Sequence, residues 1–116
     1  MLVVEDDDDT RASLRELLED QGYLVATASN GRDAEQYLQR GPAPACMLVD
    51  LWMPVMDGWT LAAQIACGRL PSVPLIVVTA AEPYWGYPAP ISRVVRKPVS
   101  SKRILALVAE AIRGAA

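Results

Sequence analysis

No basic cluster, no paired cysteine motif and no long apolar run occurs in these 116 residues. The nine arginines and two lysines are scattered, and the formal net charge is -3. A sequence-independent grip on DNA or RNA needs a basic face, so direct nucleic-acid binding is not expected. Cys46 and Cys67 stand far apart, outside any C-x-x-C pair and with no signal peptide ahead of them, which fits free thiols in a reducing compartment. Both read as small buried hydrophobes. No apolar stretch approaches the roughly 20 residues that cross a bilayer, so a soluble, cytoplasmic protein without membrane contact is expected. Repeats and linkers are absent too. A chain of this length is expected to form one domain, residues 1–116, burying roughly two thirds of the surface its unfolded form exposes.

What is present is a series of short apolar runs separated by helical patterns. Leu2 to Val4, Tyr23 to Thr27, Cys46 to Val49 and Leu75 to Val78 are rich in branched residues and barely alternate with polar ones, as in parallel strands covered on both faces. Val94 and Val95 mark a weaker fifth. Leu14, Leu17 and Leu18 set a stripe on a helix from about Thr10 to Gln21, with Gly22 as its stop. A second helix is expected over 31–40 on Ala34, Tyr37 and Leu38. A third runs from Gly58 to about Cys67 on Leu61, Ala62 and Ile65, with Asp57 as its cap. The last, Ser101 to Arg113, buries Ile104, Leu105, Val108 and Ile112 and is capped by Ser100 or Ser101. Strands alternating with helices predict a doubly wound α/β domain with right-handed crossovers. Between Thr79 and Lys97 the pattern breaks: Pro83, Pro88 and Pro90 with Gly86 leave no window for an ordinary helix, so this stretch is expected to be mostly loop.

Five consecutive acids, Glu5 to Asp9, follow directly on the first apolar run. At least two carboxylates must therefore sit where a buried strand reaches solvent, and their mutual repulsion is relieved if a hard cation such as Mg²⁺ bridges them. Asp7, Asp8 and Asp9 also have an ordinary role as a solvated turn and helix N-cap. In a doubly wound sheet, ligands bind beyond the carboxyl ends of the strands. The first strand delivers Glu5 and Asp6 there, the third Asp50, the fourth Thr79 and the fifth Lys97 followed by Pro98. Three carboxylates, a hydroxyl and an ammonium suit a phosphoryl group held beside a divalent metal.

Four motifs in order, Val3-Val4-Glu5-Asp6-Asp7 with Arg11 behind it, Leu48-Val49-Asp50 leading to Met53-Pro54-Val55-Met56-Asp57-Gly58, Val77-Val78-Thr79-Ala80, and Lys97-Pro98, carry a resemblance. From Leu2 to Arg113 the sequence resembles the CheY-like receiver domain of bacterial response regulators, the phospho-acceptor of two-component phosphorelay systems. The resemblance implies a flavodoxin-like, five-stranded parallel sheet of order 2-1-3-4-5 with helices on both faces, the fourth helix here short or replaced by the proline-rich loop. It implies that Asp50 takes a phosphoryl group from a histidine on a sensor histidine kinase or histidine phosphotransfer domain. Glu5 and Asp6 would bind Mg²⁺ with Asp50 and the backbone carbonyl of Trp52, while Thr79 and Lys97 would hold phosphoryl oxygens. The Lys97-Pro98 peptide would be cis. An output domain or partner protein would read the signal. With no histidine of its own, the chain must draw phosphoryl groups from another domain or a small phosphodonor.

Two departures stand out. The family places an aromatic three residues before its lysine, where this chain has Val94, and the proline-rich segment over 81–93 replaces a helix of the family's output face. Signalling through a reshaped surface or by another route is expected. Tyr84, Trp85 and Tyr87 are expected to fold over an exposed sheet edge, with a partner patch as the alternative. Trp52 is expected to shield the acyl phosphate from water. Two other functions compete: a degenerate receiver that docks a partner without phosphate, and an Mg²⁺-dependent hydrolase with an aspartate nucleophile. Five polar groups in one cleft oppose the first. Such hydrolases carry a second acid two residues after the nucleophile, which here is Trp52. The expected module therefore catalyses only its own phosphorylation and hydrolysis and is not an enzyme acting on an external substrate.

Overall fold

A computed structural model of the chain describes residues 1–50, 63–65, 67–70, 73–79, 91–96 and 99–114. Its elements are β1 (Leu2–Val4), α1 (Asp8–Glu19), β2 (Ala26–Ala28), α2 (Gly31–Arg40), β3 (Met47–Asp50), β4 (Leu75–Thr79), β5 (Ile91–Arg96) and α3 (Ser101–Gly114). The strands form one sheet in the order β2-β1-β3-β4-β5, every neighbouring pair parallel. This is the doubly wound, flavodoxin-like order expected from the sequence. Among the described residues, no helix is long and apolar enough to cross a membrane.

Alternation along the strands builds a core on each face, because successive side chains of a strand point to opposite sides. Leu2, Val4, Met47, Val49, Leu75 and Val77 pack with Ala34 and Leu38 of α2 and with Ile65. Val3, Leu48 and Ile76 pack on the other side with Leu18 of α1 and Ile104, Leu107 and Val108 of α3. Helices thus cover both faces. Leu14, Leu17, Leu105 and Ile112 lie half-buried along the second core.

Helix ends follow local chemistry. α1 starts two residues before the expected Thr10, because the Asp7 carboxylate accepts hydrogen bonds from the Thr10 backbone N–H at 2.8 Å and its hydroxyl at 2.6 Å. The turn that follows its last residue, Glu19, closes at Gly22, whose φ of +92° lets the Gly22 and Tyr23 N–H groups reach back to the Glu19 and Leu18 carbonyls. α2 occupies the expected span, capped by Asn30, whose side chain accepts from the Asp33 N–H at 2.9 Å. Ser100 caps α3 by accepting from the Arg103 N–H at 3.1 Å. Of the helix expected over 58–67, residues 63–65 are described and are helical. Its end is a turn at Gly68, φ +85°, with the Arg69 N–H donating to the Gln64 carbonyl at 3.0 Å. Leu61, Ala62 and the Asp57 cap lie outside the described residues.

Four expectations need correction. β2 begins at Ala26 rather than Tyr23, because β1 offers only three partners and the Tyr23 N–H is used in closing α1. Tyr37 is 38% exposed, since Ala34 and Leu38, one turn apart, form the buried ridge of α2 without it. Cys67 is exposed just past a helix end, while Cys46 is buried as expected. The fifth strand is longer than Val94 and Val95: Ile91, Ser92 and Arg93, expected as loop, belong to it. Leu75 pairs with Ile91 and Ile76 with Arg93, which leaves Ser92 as an extra residue at a bulge. The remainder of the proline-rich stretch, with Tyr84, Trp85 and Tyr87, lies outside the described residues.

Candidate functional site at the carboxyl edge of the sheet

Parallel strands present all their carboxyl ends at one edge, and register decides which residues arrive there together. Leu2, Val3 and Val4 match Met47, Leu48 and Val49, so Glu5 and Asp50 each follow the last shared pair of two adjacent strands. Asp50 pairs with Val78 and Thr79 with Arg96, so Thr79 ends β4 one residue further on. Lys97 follows Arg96 in the chain and itself lies outside the described residues, as do Pro98 and Trp52. Asp50 and Thr79 are placed as backbone positions in β3 and β4.

Among the described residues of this edge, Glu5 is buried, with 4% of its surface exposed. Its backbone is held at both polar atoms. The Glu5 N–H donates to the Ala28 carbonyl of β2 at 3.0 Å, and the Glu5 carbonyl accepts from Arg11 Nη1 at 2.9 Å. Arg11 Nη2 donates to Asp8 Oδ1 at 2.5 Å, so one guanidinium joins the end of β1 to the first turn of α1. Asp6, Asp8 and Asp9 are exposed, while Asp7 serves as the cap of α1. Of the cap and turn roles open to Asp7 and its neighbours, the cap therefore falls to Asp7. In the sequence Arg11 stands out only as part of a motif. Its i,i+3 spacing from Asp8 on a helix that starts at Asp8 indicates half of its bonding; the bond to Glu5 depends on the turn between strand and helix.

The donor chemistry at this edge fits a hard cation. Glu5 and Asp6 supply carboxylate oxygens at successive positions, one buried and one exposed, and the next strand ends in a third acid. Imidazole is absent from the chain, and the Cys46 sulfur is buried just before β3, at the opposite end of that strand. Among the described residues, no three acidic, cysteine or histidine side chains gather to hold a metal; the third carboxylate implied by the resemblance belongs to Asp50, whose side chain lies outside them. A groove of about 710 Å³ runs from Glu5 along the sheet between α1 and α3, with Leu14, Leu17, Leu48, Val78 and Ile104 among its walls.

Comparison with known proteins agrees with this architecture. The chain is 41% identical over 83 residues to an uncharacterised 14.6 kDa protein of Leptolyngbya boryana, covering 69% of this chain and 61% of that one. It is 29% identical over 119 residues to the sensor histidine kinase CheAY of Helicobacter pylori, covering 97% of this chain and 15% of the kinase. The chain thus spans less than two thirds of the length of either relative. Among solved structures it resembles the receiver domain of a sensor histidine kinase from Pseudomonas aeruginosa PAO1, described with a magnesium ion coordinated in its active site cleft. The TM-score is 0.83 at 22% identity, with 97% of this chain and 95% of that chain covered, a likeness of fold. The family model of the response regulator receiver domain matches residues 1–109. Because that match runs from before β1 into α3 and takes in all five strands, the chain belongs to the response regulator receiver domain family.

Proposed function

We propose that this receiver accepts a phosphoryl group on Asp50 from a phosphohistidine of a partner kinase or phosphotransfer domain, with Mg²⁺ held by Glu5, Asp6, Asp50 and the backbone carbonyl of Trp52. The observation that carries the proposal is the shared register of β1 and β3, which sets the buried Glu5 and the backbone position of Asp50 at one sheet edge. A carboxylate oxygen of Asp50 attacks phosphorus, the phosphorus–nitrogen bond of the donor breaks, and the leaving imidazole retains the electron pair and takes up a proton. When bound, Mg²⁺ supplies positive charge that offsets the acids and the transferring phosphoryl oxygens. Thr79 donates a hydrogen bond to one phosphoryl oxygen and Lys97 pairs with another. Water later attacks the acyl phosphate and releases inorganic phosphate, and Trp52 slows that step by shielding it. Dephosphorylation at an unchanged rate in Trp52→Ala would remove this role.

Under this proposal residues 1–116 act as a single receiver domain in the cytoplasm, with an output domain or partner protein downstream. The chain turns over no external substrate as its main task. The magnesium described in the Pseudomonas receiver and the kinase identity of CheAY support the metal and the donor class. The deciding experiment is incubation with Mg²⁺ and a small acyl phosphate, read by intact mass. The native chain gains one phosphoryl group and Asp50→Asn gains none. No gain by the native chain, where another receiver is labelled, would favour the phosphate-independent docking module.

A further inference from the structure

The Glu5 carbonyl belongs to the planar peptide unit that joins Glu5 to Asp6. Whatever orients that plane constrains the directions in which two successive side chains leave the backbone. On one side β2 holds the Glu5 N–H at 3.0 Å, and on the other the Arg11 guanidinium holds the carbonyl at 2.9 Å. Arg11 is itself anchored at Asp8 and is only 21% exposed. We infer that Arg11 is a positioning residue for the metal-binding pair: it sets the Glu5–Asp6 peptide so that one carboxylate stays buried while the next reaches the solvent side. The inference rests on the proposed role of Glu5 and Asp6 as Mg²⁺ ligands.

Charge and geometry make opposite predictions here. If Arg11 acted only as a nearby positive charge, removing it would strengthen binding of a cation to the acidic corner. If it orients the ligands, removing it weakens binding, because groups that orient metal ligands are commonly worth at least about tenfold in affinity.

The test titrates the unphosphorylated protein with Mg²⁺ by calorimetry and tryptophan fluorescence, in the native chain and in Arg11→Gln, Arg11→Lys and Asp6→Asn. Arg11→Gln is expected to bind about tenfold more weakly. Arg11→Lys keeps the charge but loses the planar fork that serves both acceptors, and it should bind severalfold more weakly. With a small acyl phosphate, both variants should recover most of the native labelling rate once Mg²⁺ is saturating. Native or tighter Mg²⁺ affinity in Arg11→Gln would overturn the inference. Should that variant fail to fold, unchanged affinity in Arg11→Lys would overturn it equally. A native chain that binds Mg²⁺ no better than Asp6→Asn would overturn the metal reading itself, a result distinct from either.

Discussion

Val4 of β1 is matched with Val49 of β3, and the residue following each is an acid. Neighbouring strands lie about 4.8 Å apart, so this register places the backbone positions of Glu5 and Asp50 at adjacent strand ends. Slipping the pairing by one residue would turn every side chain of β1 to the other face. It would also exchange Leu2 and Val4 with Val3 between the two cores. The packing that selects the fold therefore also selects which two positions share this strand end.

Magnesium should reverse the effect of neutralising Asp6. Without the ion, Asp6→Asn is expected to melt at a higher temperature than the native chain, because one like charge leaves the corner. With Mg²⁺ at a hundred times its Kd, the native chain gains about 2.7 kcal/mol and the variant gains little, so the order inverts. Thermal melts with and without the ion check this.

Asp7 should behave as a helix cap and nothing more. Asp7→Ala removes the acceptor for the Thr10 N–H and hydroxyl and should cost about 1 kcal/mol in urea unfolding. The same variant should label with a small acyl phosphate at the native rate in saturating Mg²⁺.

Two leucines at the ends of the burial scale should separate sharply. Leu18 is fully buried between α1 and the sheet, so Leu18→Ala should lose about 3 kcal/mol. Leu24 is 90% exposed, and Leu24→Ala should change stability by no more than about 0.5 kcal/mol. Chemical denaturation of both variants gives the comparison.

The buried Cys46 thiol should mark the stability curve at high pH. Burial pushes the Cys46 thiol up from 9.0 to about 11. Below pH 9 it is protonated whether the chain is folded or not. Between pH 9 and 11 the unfolded chain sheds the proton first, so stability falls, by up to about 1.4 kcal/mol per pH unit, and levels off above pH 11. Cys46→Ala should flatten that part of the stability curve. A thiol reagent at pH 8 should modify exposed Cys67 in the native protein and Cys46 only after unfolding.

Elements whose signal lies within their own residues are legible in the sequence. α2 shows this in its full span, with Ala34 and Leu38 one turn apart and a charged end, and β1, β3 and β4 show it as unbroken apolar runs. Three features depend on partners elsewhere in the chain. β2 is cut to Ala26–Ala28 by the length of β1, and the acidic Asp8 and Asp9, which read as turn, become helix once Asp7 caps them. β5 carries Arg93 and Arg96 on an outer strand, where charge is tolerated, so its apolar signal is faint. At the site, Glu5, Asp6, Asp50 and Thr79 can be assigned to strand ends from pattern alone. The bond from Arg11 back to Glu5 cannot, because it arises only when a short turn folds the first helix over the strand it follows.

The bulge at Ser92 has a further consequence for life at high protein concentration. Both rims of the sheet are poor templates: β2 offers three residues, and β5 is interrupted between Ile91 and Arg93 and punctuated by two arginines. Among the described residues, a second molecule seeking to extend the ladder would find no long straight row of amides to join. Such rims are expected to disfavour strand-to-strand association between copies.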